Sequence, residues 1–328
     1  MTVMLAAPTT SARTAGRRTK TVLLRDGVQI AVSDNAPSAP RVTVVFLHGV
    51  CLGKAAWEDQ CERLDRRYSD DVRVIAYDHR GHGKSSAAPM ATYTIDQCAR
   101  DLAEILAALH VTGPLVLVGH SMGAMVALSY LGLAADQRPV DPSGLVLVAT
   151  AAGNLAHRGV GCLLNSPLTT GLFEAVAHTP DRALRLLVAP LGAALAHVHP
   201  HGTQRRALAR VAASALANTP ISTAVGFLPT LRTFDAYAVL STVTAHTTVI
   251  SGGLDVLTPP EHAREMAAAI PNCRHITLAG LGHMLPQEAP QVITDAIVRT
   301  IEHDSAKSTE RQRMTAHRPV SALRAPTG

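Results

Sequence analysis

The sequence predicts an α/β protein: a doubly wound, mostly parallel sheet of eight strands with an inserted helical cap. Three observations carry that prediction. Continuous apolar runs at Val42–Leu47, Leu115–Val118 and Gly144–Ala149 read as strands buried on both faces, as parallel strands are. Stretches with apolar residues at helical spacing alternate with such runs along most of the chain. Between Ala151 and Tyr237 the alternation lapses: no strand run appears, Ala and Leu dominate, and Pro167, Pro180, Pro190, Pro200, Pro220 and Pro229 break the sequence into short pieces.

Taken in order, the chain opens with Thr21–Leu24 and Val28–Val32 around an Asp26-Gly27 hairpin turn. A Pro/Ser loop at 35–40 leads to the strand Val42–Leu47, which ends in His48-Gly49-Val50-Cys51-Leu52-Gly53. Helix-like sequence through Trp57 to Arg66 precedes the strand Val72–Tyr77. Ile95 to Leu109 places Ile95, Leu102, Ile105, Leu106 and Leu109 on one helical face. The strand at Leu115 is followed by a small-residue helix and by the strand Gly144–Ala149. After the insertion come the strand Thr247–Ser251, a helix over Ala263–Ala269, the strand His275–Leu278 and a last helix, Pro290–Ile301. The expected organisation is therefore a basic disordered tail at 1–20, a core formed by 21–150 and 238–303, a helical cap at 151–237, and a second disordered tail at 304–328.

A chain of 328 residues, 47% of them hydrophobic, can bury a large core. Five scattered cysteines form no C-x-x-C pair, which argues against a disulfide framework or a zinc site. The isoelectric point near 9.1 suggests a basic protein. The two tails, however, hold +7 of a whole-chain +5, so the body carries −2. That distribution gives no support to a nucleic-acid groove and weighs slightly against a highly anionic substrate. The opening apolar run, Met1 to Ala7, is too short for a secretory leader, and no stretch approaches the ~20 apolar residues of a spanning helix. A cytoplasmic location is expected.

The chemistry centres on Gly119-His120-Ser121-Met122-Gly123, a G-x-S-x-G sequence between an apolar strand and a helix. Such a nucleophile elbow puts serine on a sharp turn, flanked by glycines because a Cβ there would strike the neighbouring strand or helix. Ser121 then needs a base and a group to orient it. The strand Thr247–Ser251 runs into Gly252-Gly253-Leu254-Asp255, and the strand His275–Leu278 into Ala279-Gly280-Leu281-Gly282-His283. Both exits open at the carboxyl edge of the sheet, where ligands bind in such folds, and the order Ser, Asp, His fits a known triad order. The backbone N–H groups of Val50 and Met122 are the candidate oxyanion donors.

Five stretches together resemble one family: LHGVCLG with Trp57 and Gln60 behind it, YDHRGHGKS at Tyr77–Ser85, VGHSMGA at Val118–Ala124, GGLDVLTPP at Gly252–Pro260, and GLGHMLPQEAP at Gly280–Pro290. In this order and spacing, the chain from Thr21 to Ile301 resembles the α/β-hydrolase superfamily, in particular its serine esterase/haloperoxidase-like branch with a helical cap. Departures narrow the match. Epoxide hydrolases and haloalkane dehalogenases carry aspartate at the elbow, where this chain has Ser121. Epoxide hydrolases also place proline where Cys51 stands. Ring-cleavage carbon–carbon hydrolases often carry tryptophan where Gln287 precedes Glu288.

The resemblance implies a serine hydrolase acting on carboxylic esters of fairly apolar small molecules, with Ser121, Asp255 and His283 catalytic. His48, Gly49, Gly119, His120 and Gly123 would support the elbow and the oxyanion loop. Asp78 and His82 are expected to be structural, and His120 to be a packing residue rather than a second base. No cofactor and no metal is implied. The triplet His197, His199 and His201 reads as a solvated cap loop, because Pro200 breaks any ligating spacing. Cys51 is expected to be buried and inert. The leucines at 163, 164, 168, 172, 184, 186 and 187 are expected to pack the cap onto the core. The same triad also supports acyl transfer, perhydrolysis or carbon–carbon hydrolysis, and the fold can serve as a non-catalytic receptor or scaffold.

Overall fold

A computed structural model describes residues 17–179 and 219–316. The described residues form one sheet of eight strands: β1 Arg18–Leu23, β2 Gln29–Asp34, β3 Val42–Leu47, β4 Val72–Tyr77, β5 Leu115–His120, β6 Gly144–Val148, β7 His246–Gly252 and β8 Cys273–Leu278. They lie side by side in the order β1-β2-β4-β3-β5-β6-β7-β8. The first two pairings, β1 with β2 and β2 with β4, are antiparallel; all others are parallel. Every residue of β3, β5 and β6 is buried, as their unbroken apolar sequences require.

Helices cover both faces. On one face lie α2 (Ile95–Ala108), α3 (Met122–Leu131) and α8 (Pro260–Ala269), through side chains such as Leu102, Leu106, Met125 and Met266. On the other lie α1 (Glu58–Tyr68) and α10 (Pro290–Ala316), through Cys61, Leu64, Ile293 and Ile297. The start of α2 is set by Thr94, whose hydroxyl accepts the Gln97 N–H at 3.1 Å. Between β6 and β7 the described chain is helical: α4 (Pro167–Ala177), α5 (Ile221–Gly226), α6 (Leu228–Thr233) and α7 (Tyr237–Leu240). The short helix α9 (Leu285–Glu288) precedes α10.

Three sequence expectations change. The first strand begins at Arg18, inside the expected tail of 1–20, and Lys20 bonds Asp34 of β2 at 2.9 Å. The hairpin expected from Thr21–Leu24 and Val28–Val32 is present, but the first three residues of its exposed edge strand have no apolar pattern to announce them. The last helix runs on to Ala316 rather than ending at Ile301, so 304–316 is helical. That stretch is rich in Ala, Lys, Glu, Gln, Arg and Met, and proline first recurs at 319. The cap leucines do not act as one stripe. Leu164 packs on the core, while Leu163 and Leu172 are 68% and 48% exposed. The segment Gly159–Asn165 is a 3₁₀ helix, whose three-residue turn spoils an α-helical face. Leu184, Leu186, Leu187 and the His197–His201 triplet lie outside the described residues, as do 1–16, and the side chain of Leu168 is not described.

One buried ion pair ties the hairpin end of the sheet together. Arg80 grips both oxygens of Asp101 on α2 at 2.6 and 2.5 Å, Asp26 of the first turn at 2.9 Å, and the Thr92 hydroxyl at 2.9 Å. Its side chain and that of Asp101 are buried, whereas Asp26 is 40% exposed. Replacing one member of a buried pair strands the other without solvent. Arg80→Leu should therefore lower the unfolding free energy by about 3–5 kcal/mol in urea titration. Asp26→Ala, at the wet end of the same network, should cost no more than about 1 kcal/mol.

Candidate active site

Strand β5 delivers Ser121 into a turn before α3 begins at Met122. Ser121 has φ 53° and ψ −121°, a conformation that costs an L-residue about 1–3 kcal/mol. The turn is held from both sides. The Ser121 N–H donates to the Val148 carbonyl at 2.9 Å, and the Thr150 hydroxyl donates to the Ser121 carbonyl at 2.9 Å. The flanking glycines have no room for a side chain. A Cβ on Gly119 would sit 2.4 Å from Cα of Ala124, and one on Gly123 would sit 2.2 Å from the Leu47 carbonyl oxygen. The elbow is thus wedged between its own helix and the end of β3.

The loop after β3 lies directly on this elbow: a Cβ on Gly49 would be 3.2 Å from the Cβ of Ser121. Its course is set by buried imidazoles. His48 accepts the His79 N–H on Nε2 at 2.9 Å, so its proton sits on Nδ1 and is donated to the Gly49 carbonyl at 2.8 Å. In a trans peptide, a carbonyl pulled to one side directs the next N–H, that of Val50, to the other. The Cys51 N–H donates to His82 Nε2 at 3.1 Å, and His82 Nδ1 donates in turn to the Arg80 carbonyl at 3.0 Å. The Leu52 N–H turns back onto the Gly49 carbonyl at 3.2 Å. Among the described residues the Val50 amide has no such bond. The Met122 amide, at the first position of α3, has no partner within its helix, and the positive end of the helix dipole lies with it.

Asp255 and His283 meet where the exits of β7 and β8 run side by side. His283 Nδ1 lies 2.7 Å from Asp255 Oδ2, which fixes the proton on Nδ1 and leaves Nε2 as the basic nitrogen. Both groups are buried. The Asp255 carboxylate also accepts the Leu257 N–H at 2.8 Å, the Thr258 N–H at 2.9 Å and the Thr258 hydroxyl at 2.7 Å. Burial alone would raise this carboxyl, but the His283 contact and the Thr258 bonds outweigh it and hold Asp255 below the usual carboxylate range. On the other side of the base, His120 Nε2 lies 2.9 Å from the His283 carbonyl.

The structure therefore gathers Ser121, Met122, His120, Gly119, Gly123, His48, Gly49, Val50, Asp255 and His283 at one sheet edge. Asp78 and His82 are engaged in holding backbone. Asp78 accepts the Lys54 amide at 2.7 Å, its ammonium at 2.5 Å and the Lys84 amide at 2.9 Å, which anchors the far end of the Gly49 loop. Cys51 is buried at φ 61°, and burial pushes its thiol up to about 12, so it is not a reactive thiolate. Sequence reasoning did not single out Thr258 or Thr150. Thr258 had a local signal, a hydroxyl three residues after an aspartate at a loop start; Thr150 had none, because its partner is 29 residues away.

The alpha/beta hydrolase family model matches residues 44–296. The chain belongs to the alpha/beta hydrolase family. A hydrolase from Pseudomonas aeruginosa of known structure superposes on this alpha/beta hydrolase with a TM-score of 0.65 at 26% identity, covering 86% of this chain and 98% of that one. The sn-1-specific diacylglycerol lipase ABHD11 of Mus musculus is 26% identical over 77% of this chain and 79% of its own length. Polyketide synthase ThaQ of Burkholderia thailandensis is 28% identical over 73% of this chain, which spans only 11% of that protein. Among the described residues, no helix of the alpha/beta hydrolase is long and apolar enough to cross a membrane.

Two consequences can be measured. A Gly123→Ala variant forces a methyl into the β3 carbonyls and should lose about 3 kcal/mol in chemical denaturation. The buried histidines set an acid limit as well. Burial pushes His48 and His120 down to about 3 and His82 to about 4, and it holds His79 well below the usual histidine range. In the unfolded chain they titrate near 6.5 and so bind protons first. Stability should therefore fall as the pH drops below about 6.5, each histidine contributing up to about 1.4 kcal/mol per pH unit. Melting temperatures at pH 7, 6 and 5 and constant ionic strength check this; a flat profile would contradict it.

Proposed function

We propose that this alpha/beta hydrolase cleaves carboxylic esters of fairly apolar small molecules through an acyl-enzyme on Ser121. The observation that carries the reading is the Asp255–His283 pair, oriented with Nε2 free and bonded through its backbone to the residue before Ser121. In this mechanism His283 Nε2 takes the Ser121 proton as Oγ attacks the ester carbonyl carbon. The resulting oxyanion is received by the Val50 and Met122 N–H groups. Asp255 keeps the imidazole in its tautomer and stabilises the imidazolium. The tetrahedral intermediate collapses, the alcohol leaves with the proton from His283, and Ser121 is acylated. Water then attacks the acyl carbon, gives its proton to His283 and releases the acid, and the proton returns to Ser121.

We infer that the segment 151–237, set between 21–150 and 238–303 and largely helical where it is described, serves as a cap, and its apolar composition suits an apolar acyl or alcohol part. The lipase named among the relatives supports an ester substrate, since that protein is named for hydrolysing one.

Hydrolysis of p-nitrophenyl esters from acetate to laurate tests the proposal. Ser121→Ala should lower kcat on the order of 10⁶-fold and Asp255→Asn about 10⁴-fold. Turnover retained in purified Ser121→Ala would refute the acyl-enzyme. A folded protein that neither hydrolyses any ester nor reacts with a fluorophosphonate would favour a ligand receptor on the same fold.

A further inference from the structure

His120 does more than fill space in the elbow. We propose that it is a positioning residue, donating a hydrogen bond from Nε2–H to the His283 carbonyl so that the base stays in register with Ser121. The proposal rests on the serine-hydrolase reading above.

Three observations support it. First, the acceptor is a carbonyl, so the 2.9 Å contact requires the proton on Nε2. Burial keeps the ring neutral, pushing it down to about 3, and Nδ1 is then a lone-pair nitrogen with no hydrogen-bond partner. A buried imidazole with one nitrogen unsatisfied is a poor packing residue; an apolar side chain would do that job at lower cost. Second, the ring is fixed on three sides. The Trp57 ring stands edge-on at 6.4 Å, the His283 ring lies at 5.0 Å, and a Cβ on Gly49 would approach Nδ1 to 3.0 Å. The donor therefore points in one direction.

Third, up to His283 the loop that carries it is tied to the acid's side of the site or to its own continuation; its contacts with the α1 side come three and four residues later, where Gln60 donates to the Pro286 carbonyl at 2.7 Å and Gln287 donates to the Ala56 carbonyl at 3.0 Å. The Gly253 N–H bonds the Leu278 carbonyl at 2.9 Å and the Leu254 N–H bonds the Leu281 carbonyl at 2.9 Å. The Gly282 N–H bonds Glu288 at 2.9 Å, and the His283 ring bonds Asp255. The contacts up to His283 align the base with its acid, and none of those four sets its distance from the nucleophile. His120 adjoins Ser121 in the chain, so a bond from its ring to the base's own peptide fixes that distance. Misplacement of a reacting group by 1 Å can cost about 10²-fold in rate.

The test uses three variants of the full chain. His120→Leu removes the donor and keeps much of the volume. His120→Asn keeps an amide that is too short to reach, and it serves if the leucine variant does not fold. His120→Gln carries a donor at about the reach of Nε2. For p-nitrophenyl butyrate, Leu and Asn should lower kcat about 10- to 100-fold with KM changed less than about threefold, and Gln should recover most of the loss. The proton NMR resonance of His283 Nδ1–H, bonded to Asp255, should shift or broaden in Leu and Asn and return in Gln.

Equal losses of melting temperature in all three, with kcat of the folded protein and the His283 resonance unchanged, would make His120 a packing residue and overturn the proposal. If the wild-type chain neither turns over esters nor labels at Ser121, the hydrolase reading fails by itself. The NMR comparison still decides whether His120 holds His283.

Discussion

The site depends on one backbone constraint: a serine held at positive φ where the end of β5, the start of α3 and the end of β3 come within contact distance. Nothing local favours that conformation. It persists because the Ser121 N–H and C=O are bonded to Val148 and Thr150, and because Gly119 and Gly123 let the three backbones close on one another. The strain of one residue is offset by the burial of the strands around it. The consequence is chemical. Ser121 is held at the sheet edge as the residue that leads into the first amide of α3.

Around that elbow the chain uses neutral buried imidazoles as rigid connectors. His120 connects through its donor alone, to the His283 carbonyl, whereas His48 and His82 each use one donor and one acceptor nitrogen to join segments remote in sequence. A lysine or arginine could not do this, since neither can accept a hydrogen bond. The cost is sensitivity to acid, because each ring keeps its tautomer only while it is uncharged. Asp255 has the opposite character. Four donors surround its carboxylate, so it stays charged while buried, and a charged orienter is what an imidazolium intermediate needs.

The strands that build the sheet also decide where this chemistry can sit. β3, β5, β7 and β8 are parallel, so their carboxyl ends open on the same edge. The Gly49 loop, Ser121, Asp255 and His283 each follow one of those ends. The Arg80 side chain and its carboxylates brace the antiparallel end of the sheet.

Much of this was determined by the sequence alone. Apolar runs marked β3, β5 and β6 because parallel strands are buried on both faces, and the order of Ser121, Asp255 and His283 along the chain placed them at strand ends. The start of the edge strand at 18–20, ahead of the strand read at Thr21–Leu24, and the helix beyond Ile301 were not legible, since neither stretch has an apolar periodicity to read. The 3₁₀ turn at Gly159–Asn165 broke the leucine stripe for a similar reason: periodicity in sequence presumes a helix type. The tertiary structure alone decided which polar groups meet. His120 with the His283 carbonyl, Thr150 with Ser121, and His48 and His82 with the loop backbone pair residues 29 to 163 apart or fix a tautomer by a partner elsewhere in the chain. Hydrogen bonds are directional and short-ranged, so only the packed sheet brings their ends together.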